Sequence, residues 1–451
     1  MKRYVALLLI LVSCSKKNDF VTTTPQIIDS TNLKKTWQLS TYELSFSLPN
    51  ISTTELYGTS TNSVAGFLHY QKDGNEHIII TPSTTLQELN PVHFLKKENQ
   101  WNLENFYPNV SIGSVRNHEK ISDGTYVYAD HGIESGTKWP YGHLWKFETI
   151  GEKLKWTQVS KTRSFYHSVS TGDFDGDGLV DVVGLNMGTY GDWFNSLHTY
   201  TQNTSGEYNE NREVIDFFAF RGSYGAGAVL CVNLFGDSKP EIIRADYGFN
   251  PSNPMGFKRY SIVIFSYNNV TGKYEVARQP NVMGIFSDTR IGATSMKSFD
   301  FDKDNDLDLV IAYEGLDNGI EIWENKGDGN FEPTNQKFNF TEQQMQFREF
   351  EIADINNDGY VDILLHPFHW GLDFRLGPTT YKFGNYGEGI KLNKCILINN
   401  KGKYEFFDKE ISIPSIKPGF MKASFINNKL IFFGLEFKNN KLYIQEVNIK
   451  I

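Results

Sequence analysis

The sequence predicts an all-β protein assembled from repeated four-stranded antiparallel sheets. Three observations carry that expectation. Aromatic residues make up 14% of 451 positions and glycine is frequent, while helix-favouring Ala/Glu/Leu stretches are scarce. An aspartate-rich motif followed by a Val/Ile-rich run recurs along the chain. Downstream of each copy a polar, glycine-containing turn leads into an aromatic residue.

A chain of this length exceeds one ordinary core, so it reads as several domains or one repeat array. Its formal net charge of −9 offers no basic stripe to displace counterions from phosphates, which argues against nucleic acid as a partner.

The first residues form a processing signal. Lys2 and Arg3 precede an apolar run, Tyr4 to Val12, too short to span a bilayer. The run ends in "LVSC", Leu11 to Cys14, which resembles a bacterial lipobox; the alternative is an ordinary signal peptide. The expected organisation is a signal peptide over 1–13, a polar Thr/Ser-rich tether over 14–33 beginning at lipidated Cys14, and a folded region over 34–451. The lipid would anchor the chain to the cell envelope. Outer membrane is the expected location, and Asp19 is the only acid among the five residues after Cys14. Cys231 and Cys395 sit in apolar runs without zinc-like or redox spacing and read as buried, unpaired thiols.

The aspartate motif begins with "DFDGDGLVDVVG" at Asp173 and returns as "DFDKDNDLDLVIA" at Asp300 and "DINNDGYVDILLH" at Asp354. A weaker copy, "NLFGDSKPEIIRA", starts at Asn233. Turn-and-aromatic elements follow: "YTQNTSGEY", "FSYNNVTGKYE", "IWENKGDGNFE" and "LINNKGKYEF". "LWKFETIGEKLKW" from Leu144 and "HFLKKENQW" from His93 look like the same hairpin in earlier units. Each unit thus reads as an inner strand, the aspartate loop, an apolar strand, a variable loop and an outer hairpin.

Such a sheet exposes two edges and cannot bury both faces alone. Radial packing around an axis solves both problems, which is the β-propeller arrangement; a rod-like stack of sheets is the alternative. Units begin near 62, 112, 165, 225, 291, 346 and 418, so seven blades are expected, the last short and without the aspartate loop. "TWQLSTYELSFSL" from Thr36 would complete the ring by pairing with a terminal blade.

The spacing D-x-D/N-x-D-(G)-x-x-D suits calcium, which needs six to eight oxygens. Asp173, Asp175, Asp177 and Asp181 with the carbonyl of Leu179 supply one set, and Gly178 permits the sharp turn. Asp300, Asp302, Asp304 and Asp308 with the carbonyl of Asp306 supply a second, where Asn305 replaces the glycine and tolerates the same left-handed backbone. Asp354, Asn356, Asp358 and Asp362 with the carbonyl of Tyr360 supply a third. About three Ca2+ sites are expected. An EF-hand would need a glutamate at position twelve, where Gly184, Ile311 and Leu365 stand. A metal-free Asx-rich turn is the other reading of any single copy. The Asn233 copy has Phe235 where a carboxylate belongs, leaving Asn233, Asp237 and Glu241, and should fold without a well-held ion.

Aspartate loop, apolar strand and N-x-G-x-aromatic hairpin together resemble the FG-GAP/VCBS repeats of integrin α-subunits and many bacterial surface proteins. The resemblance spans about residues 60 to 451, strong in three blades, moderate in one and weak in three. It implies a propeller with calcium in the loop joining the first two strands of a blade. It also implies binding or adhesion more often than catalysis, without naming a ligand.

If the metal loops occupy one face of the disc, the loops joining second and third strands occupy the other. Those loops are long and carry Trp139, Tyr141, His143, Tyr190, Trp193, His366, His369, Trp370 and Arg375, expected to contact a glycan or protein ligand. Arg116, His167, Arg221, Arg290 and Arg348 fall near the same face. The competing reading is that these aromatics merely pack on one another.

The first functional expectation is therefore a lipid-anchored, calcium-binding module for an extracytoplasmic glycan or protein. A propeller-fold polysaccharide lyase or hydrolase is the second, and a structural subunit of an envelope complex the third. "HPFHW" lacks HExxH spacing, and no nucleophile elbow, P-loop or dinucleotide fingerprint appears.

Overall fold

A computed structural model describes residues 37–44, 64–82, 90–113, 115–132, 141–186, 196–211, 227–236, 238–245, 262–278, 290–315, 319–339, 346–368, 374–376, 379–381, 395–407, 420–438 and 441–450. Cys14, the signal peptide and the tether lie outside these residues. Among the described residues no helix is long and apolar enough to cross a membrane.

Period-2 alternation and glycine-bearing turns produce antiparallel hairpins throughout. Six blades are contiguous in sequence, each a four-stranded antiparallel sheet, spanning 64–106, 115–158, 166–210, 228–278, 290–339 and 346–406. The sixth also carries a separate two-stranded ribbon, Phe374–Leu376 with Thr379–Tyr381, between its second and third strands.

A composite four-stranded sheet closes the ring. Phe420–Ile426, Lys429–Lys438 and Lys441–Lys450 provide three strands, and Trp37–Leu44 adds the fourth by pairing Trp37 with Ile449 and Leu44 with Leu442. The expected seven units thus divide into six contiguous blades and one sheet built from both ends of the chain. The last unit is short because the N-terminal strand completes it. First strands start at Val64, Val115, Tyr166, Ala228, Arg290, Gln346 and Phe420, within three residues of the unit starts expected from the repeats.

The core lies between blades. Second strands such as Thr125–Asp130 and Asp181–Asn186 are buried along their whole length. Their side chains join clusters that pair one sheet with the next, for example Val183 and Leu185 with Val263, Phe265 and Tyr274. A strand apolar on both faces needs a neighbour on each side, and the ring supplies it. First strands touch their neighbours around the axis, the closing strand Phe420–Ile426 contacting both Val64–Lys72 and Gln346–Ala353.

Candidate functional site

The aspartate motifs occupy the connections between first and second strands, as their spacing predicts. Gly172 and Asp181 flank one, Phe299 and Asp308 another, Ala353 and Asp362 a third. The blades without the motif turn at the same end by tight hairpins. Asp73-Gly74 and Asn427-Asn428 have φ of 50° and 81°, and of 52° and 58°, the signature of a two-residue type I′ turn.

Each complete loop is wound around its first aspartate. Asp173 Oδ1 accepts the N–H groups of Gly176 and Asp177 at 2.7 and 3.1 Å, and its Oδ2 accepts that of Gly178 at 2.9 Å. Asp300 accepts from Lys303, Asp304 and Asn305 at 2.6, 3.1 and 3.0 Å. Asp354 accepts from Asp358 and Gly359 at 3.0 and 2.8 Å. The residues expected to lend carbonyls, Leu179, Asp306 and Tyr360, donate their N–H groups to Asp177, Asp304 and Asp358 at 2.8, 2.9 and 2.8 Å.

Gly178 and Asn305 have φ of 84° and 76°, the left-handed turns that the sequence required. A second left-handed residue precedes them by two positions: Gly176, Lys303 and, in the third loop, Asn357 ahead of Gly359. No special residue type marks that position in all three copies, so the spacing alone did not reveal it.

The last aspartate of each motif is a buried anchor. Asp181, Asp308 and Asp362 are at most 1% exposed. Asp181 accepts the N–H of Phe174 at 2.9 Å and, from the third strand, that of Gln202 at 2.8 Å. Asp308 holds Phe301 and Asn325 in the same way, and Asp362 holds Ile355 and Asn399. Burial pushes Asp181 up to about 6 and Asp308 and Asp362 up to about 7, partly countered by the N–H donors, while neighbouring loop aspartates raise them further. Positive charge in the loop would relieve that cost.

The donor chemistry fits a hard cation. One carboxylate oxygen each from Asp173, Asp175 and Asp181 lie within 4.8 Å of one another, as do oxygens of Asp300, Asp302 and Asp304. In the third loop Asn356 Nδ2 donates to Asp358 Oδ2 at 2.9 Å, so an amide already offsets part of the charge. The Asn233 loop shares the winding: Gly236 N–H donates to Asn233 Oδ1 at 2.6 Å, and Glu241 Oε2 accepts from Leu234 and Phe235 at 2.7 and 3.2 Å. Glutamate replaces the anchoring aspartate without altering the backbone pattern.

Two parts of the motif escaped the sequence reading. The residue after the first aspartate, Phe174, Phe301 or Ile355, is an apolar plug at most 3% exposed. Phe174 meets Tyr274 of the next blade edge-on at 5.9 Å, and Phe301 meets Tyr404 of the next blade at 6.4 Å. The hairpin aromatic is tied back to the loop of its own blade. Tyr208, Tyr274 and Tyr404 donate their hydroxyls to the carbonyls of Val180, Pro240 and Val361 at 3.4, 3.0 and 2.7 Å. An aromatic residue two positions after a turn glycine was visible; its partner was not.

Of the expected ligand-face residues, Trp139, Tyr190, Trp193, His369 and Trp370 lie outside the described residues, and Arg375 is placed only as part of the ribbon strand. Tyr141 is half-buried, edge-on to Phe165 at 4.9 Å. His143 is buried, with Nδ1 2.9 Å from the Ser160 carbonyl, so its ring braces the second blade from within.

His366 is also buried, and its ring meets residues of the first strands rather than an outer surface. Its Nδ1 lies 3.8 Å from Glu349 and 3.3 Å from Lys422 Nζ, and its Nε2 lies 3.8 Å from Glu351. Lys422 pairs with Glu349, whose other oxygen is 3.5 Å from His118. Burial pushes His366 down to about 4 and His118 down to about 3. Three first strands, with His366 from the second strand of blade six, thus build one polar cluster. Of its members the sequence reading had singled out only His366, because no local spacing joins the others.

The repeat family found by sequence comparison agrees with this architecture. Residues 300–365 match the family model of the FG-GAP-like repeat, a span running from the second complete aspartate loop through the strand after the third. The chain is a β-propeller carrying an FG-GAP-like repeat. Curated protein sequences contain no match. Among solved structures, the periplasmic gluconolactonase PpgL of Pseudomonas aeruginosa is 10% identical, with a TM-score of 0.45 over 83% of this chain and 96% of that one. A protein from Lactobacillus plantarum is 11% identical, with a TM-score of 0.43 over 83% and 97%. A sialidase from Trypanosoma rangeli in complex with sialic acid is 11% identical, with a TM-score of 0.40 over 90% of this chain and 57% of that one.

Proposed function

We propose that this chain is a calcium-stabilised binding propeller, anchored to the cell envelope through Cys14, that recognises a glycan or protein outside the cytoplasm. The observation that carries the reading is the convergence of three carboxylates in the Asp173 and Asp300 loops, beside anchors whose burial makes a cation favourable. Asp173, Asp175, Asp177, Asp181 and the Leu179 carbonyl would hold one ion. Asp300, Asp302, Asp304, Asp308 and the Asp306 carbonyl would hold a second; Asp354, Asn356, Asp358, Asp362 and the Tyr360 carbonyl a third. Bound calcium neutralises the loops and fixes each first hairpin to its blade.

In this reading the ion sites are structural, because they repeat blade by blade and serve each blade's own connection. The composite closing sheet counts as the seventh blade. The ligand face is the opposite end of the disc, carried by Trp139, Tyr190, Trp193, His369, Trp370 and Arg375, while His143 and His366 belong to the framework. A glycan array with and without chelator tests the reading. Binding should require calcium and fall in Trp370→Ala and His369→Ala; binding that survives both substitutions removes the face assignment.

A further inference from the structure

At the aspartate-loop end the axial channel opens into a recess of about 690 Å³, bordered by the first turns of blades one and two and of the closing sheet. That volume lies within the range of small-molecule sites. It lies at the end of the ring where first strands turn into second strands, opposite the ends of the second strands, so it is separate from the ligand face proposed above.

The charges around it are not equivalent. At the rim Lys72 lies 3.9 Å from Asp73, and Lys120 lies 2.7 Å from Asp123. Each rim lysine therefore has a carboxylate from its own turn. Deeper in, Lys297 lines the recess and, among the described residues, has no carboxylate oxygen within 4.0 Å. The nearby buried carboxylate Glu349 is committed to Lys422 and His118. The buried carboxylate Glu119 feels the Lys297 charge but, among the described residues, forms no close ion pair with it, so Lys297 is the recess lysine still able to contact a ligand's carboxylate. Around it stand His118, Glu351 and Ser424, a mixture of hydrogen-bond donors and acceptors.

We propose that this recess is a binding site for a hydroxylated monocarboxylate, the chemistry of an acidic sugar, with Lys297 receiving the carboxylate and His118, Glu351 and Ser424 the hydroxyls. A compact polyanion such as phosphate is disfavoured, because Glu351 would repel it and no second uncommitted lysine lies within the recess. A neutral sugar would leave Lys297 desolvated without a partner, which is the costlier arrangement.

Isothermal titration of the calcium-loaded full chain with D-glucuronate tests the site. Glucuronate should bind, while D-glucose and the methyl ester of glucuronic acid, which keep the hydroxyls and lose the charge, should bind at least tenfold more weakly. Lys297→Met should weaken glucuronate at least tenfold, and the rim variant Lys72→Gln less than threefold. A glucuronate oligomer that binds more tightly than the monomer identifies a polysaccharide end as the source; tighter monomer binding identifies the free acid. Absence of glucuronate binding at millimolar concentration, equal binding of the methyl ester, or unchanged binding by Lys297→Met overturns the proposal. The ester comparison uses the unaltered protein and stands even if Lys297→Met fails to fold. Because calcium dependence and the opposite face are tested separately, failure here leaves the proposed function intact.

Discussion

The main-chain N–H of Asn399 donates to Asp362 Oδ1 at 2.8 Å, and the Asn399 side chain donates to the Phe301 carbonyl at 2.8 Å. One fully buried residue therefore ties the anchor of one aspartate loop to the plug of the preceding blade's loop. Its Oδ1 also accepts the Gly402 N–H at 2.8 Å, which shapes the outer turn. Asn399→Ala leaves the Phe301 carbonyl and the Gly402 N–H without this partner and should cost about 2–3 kcal/mol. Asn399→Asp keeps the acceptor and loses the donor to Phe301. Equilibrium unfolding in urea measures both; a loss under about 0.5 kcal/mol for the alanine variant would show that the latch carries little.

Tyr404 closes the same blade from its other side, its hydroxyl 2.7 Å from the Val361 carbonyl. Tyr404→Phe keeps the ring and removes that bond, for an expected loss of about 1 kcal/mol. Blade five has Phe331 at the corresponding place, 2% exposed, so the ring alone suffices for packing there. Phe331→Tyr should then give no comparable gain in urea midpoint.

Calcium removal should lower the melting temperature, because an ion held only by the folded loops stabilises by about 2.7 kcal/mol per site at a hundredfold excess over its dissociation constant. Asp300→Asn combined with Asp302→Asn should remove part of that gain, since both carboxylates belong to one convergent set. Asn233→Ala should leave the chelator response unchanged. Scanning calorimetry with calcium or chelator decides; an unchanged transition would mean the loops are not ion sites.

Acid should weaken blade one through His77 and His93. Their rings lie 5.2 Å apart and within 5° of parallel, with His77 Nδ1 3.0 Å from His93 Nε2, and both are 0% exposed. Burial, then the charge of His69, pushes His77 down to about 4, against smaller raising effects of a backbone bond to Lys72 and of Asp73 and Glu152. Burial, then His77 itself, pushes His93 down to about 3. The unfolded chain takes up protons near the ordinary value of 6.5 while the folded chain does not. Stability is therefore present above pH 6.5 and lost as pH falls towards 4, by roughly 3 kcal/mol for each histidine. Melting curves from pH 7.5 to 4.5 should show a shallower decline in a His77→Leu/His93→Leu variant; parallel declines would exclude the pair as the cause.

The repeats made much of the fold legible because their signals are local. Asp173 to Asp181 wind a loop whose hydrogen bonds span at most seven residues, and Gly178 and Asn305 supply left-handed turns where the spacing demanded them. His143 and His366 were read as surface groups because a loop position says nothing about which way a ring turns. His143 turned inwards to the Ser160 carbonyl, and His366 turned towards residues of the first strands.

What the sequence by itself determined is the blade: strand alternation, aspartate loop, glycine turn and the order of units. Each rests on interactions between residues close in the chain, so composition and spacing encode it. What only the tertiary structure decided is how the ring closes and what its centre contains. Trp37 pairs with Ile449, and Ser424 Oγ lies 2.6 Å from His69 Nδ1 across 355 positions. Lys297, Glu349 and Lys422 each come from a different first strand. No periodicity links them; they meet because every sheet must bury both faces, and a closed ring brings all the first strands to one axis.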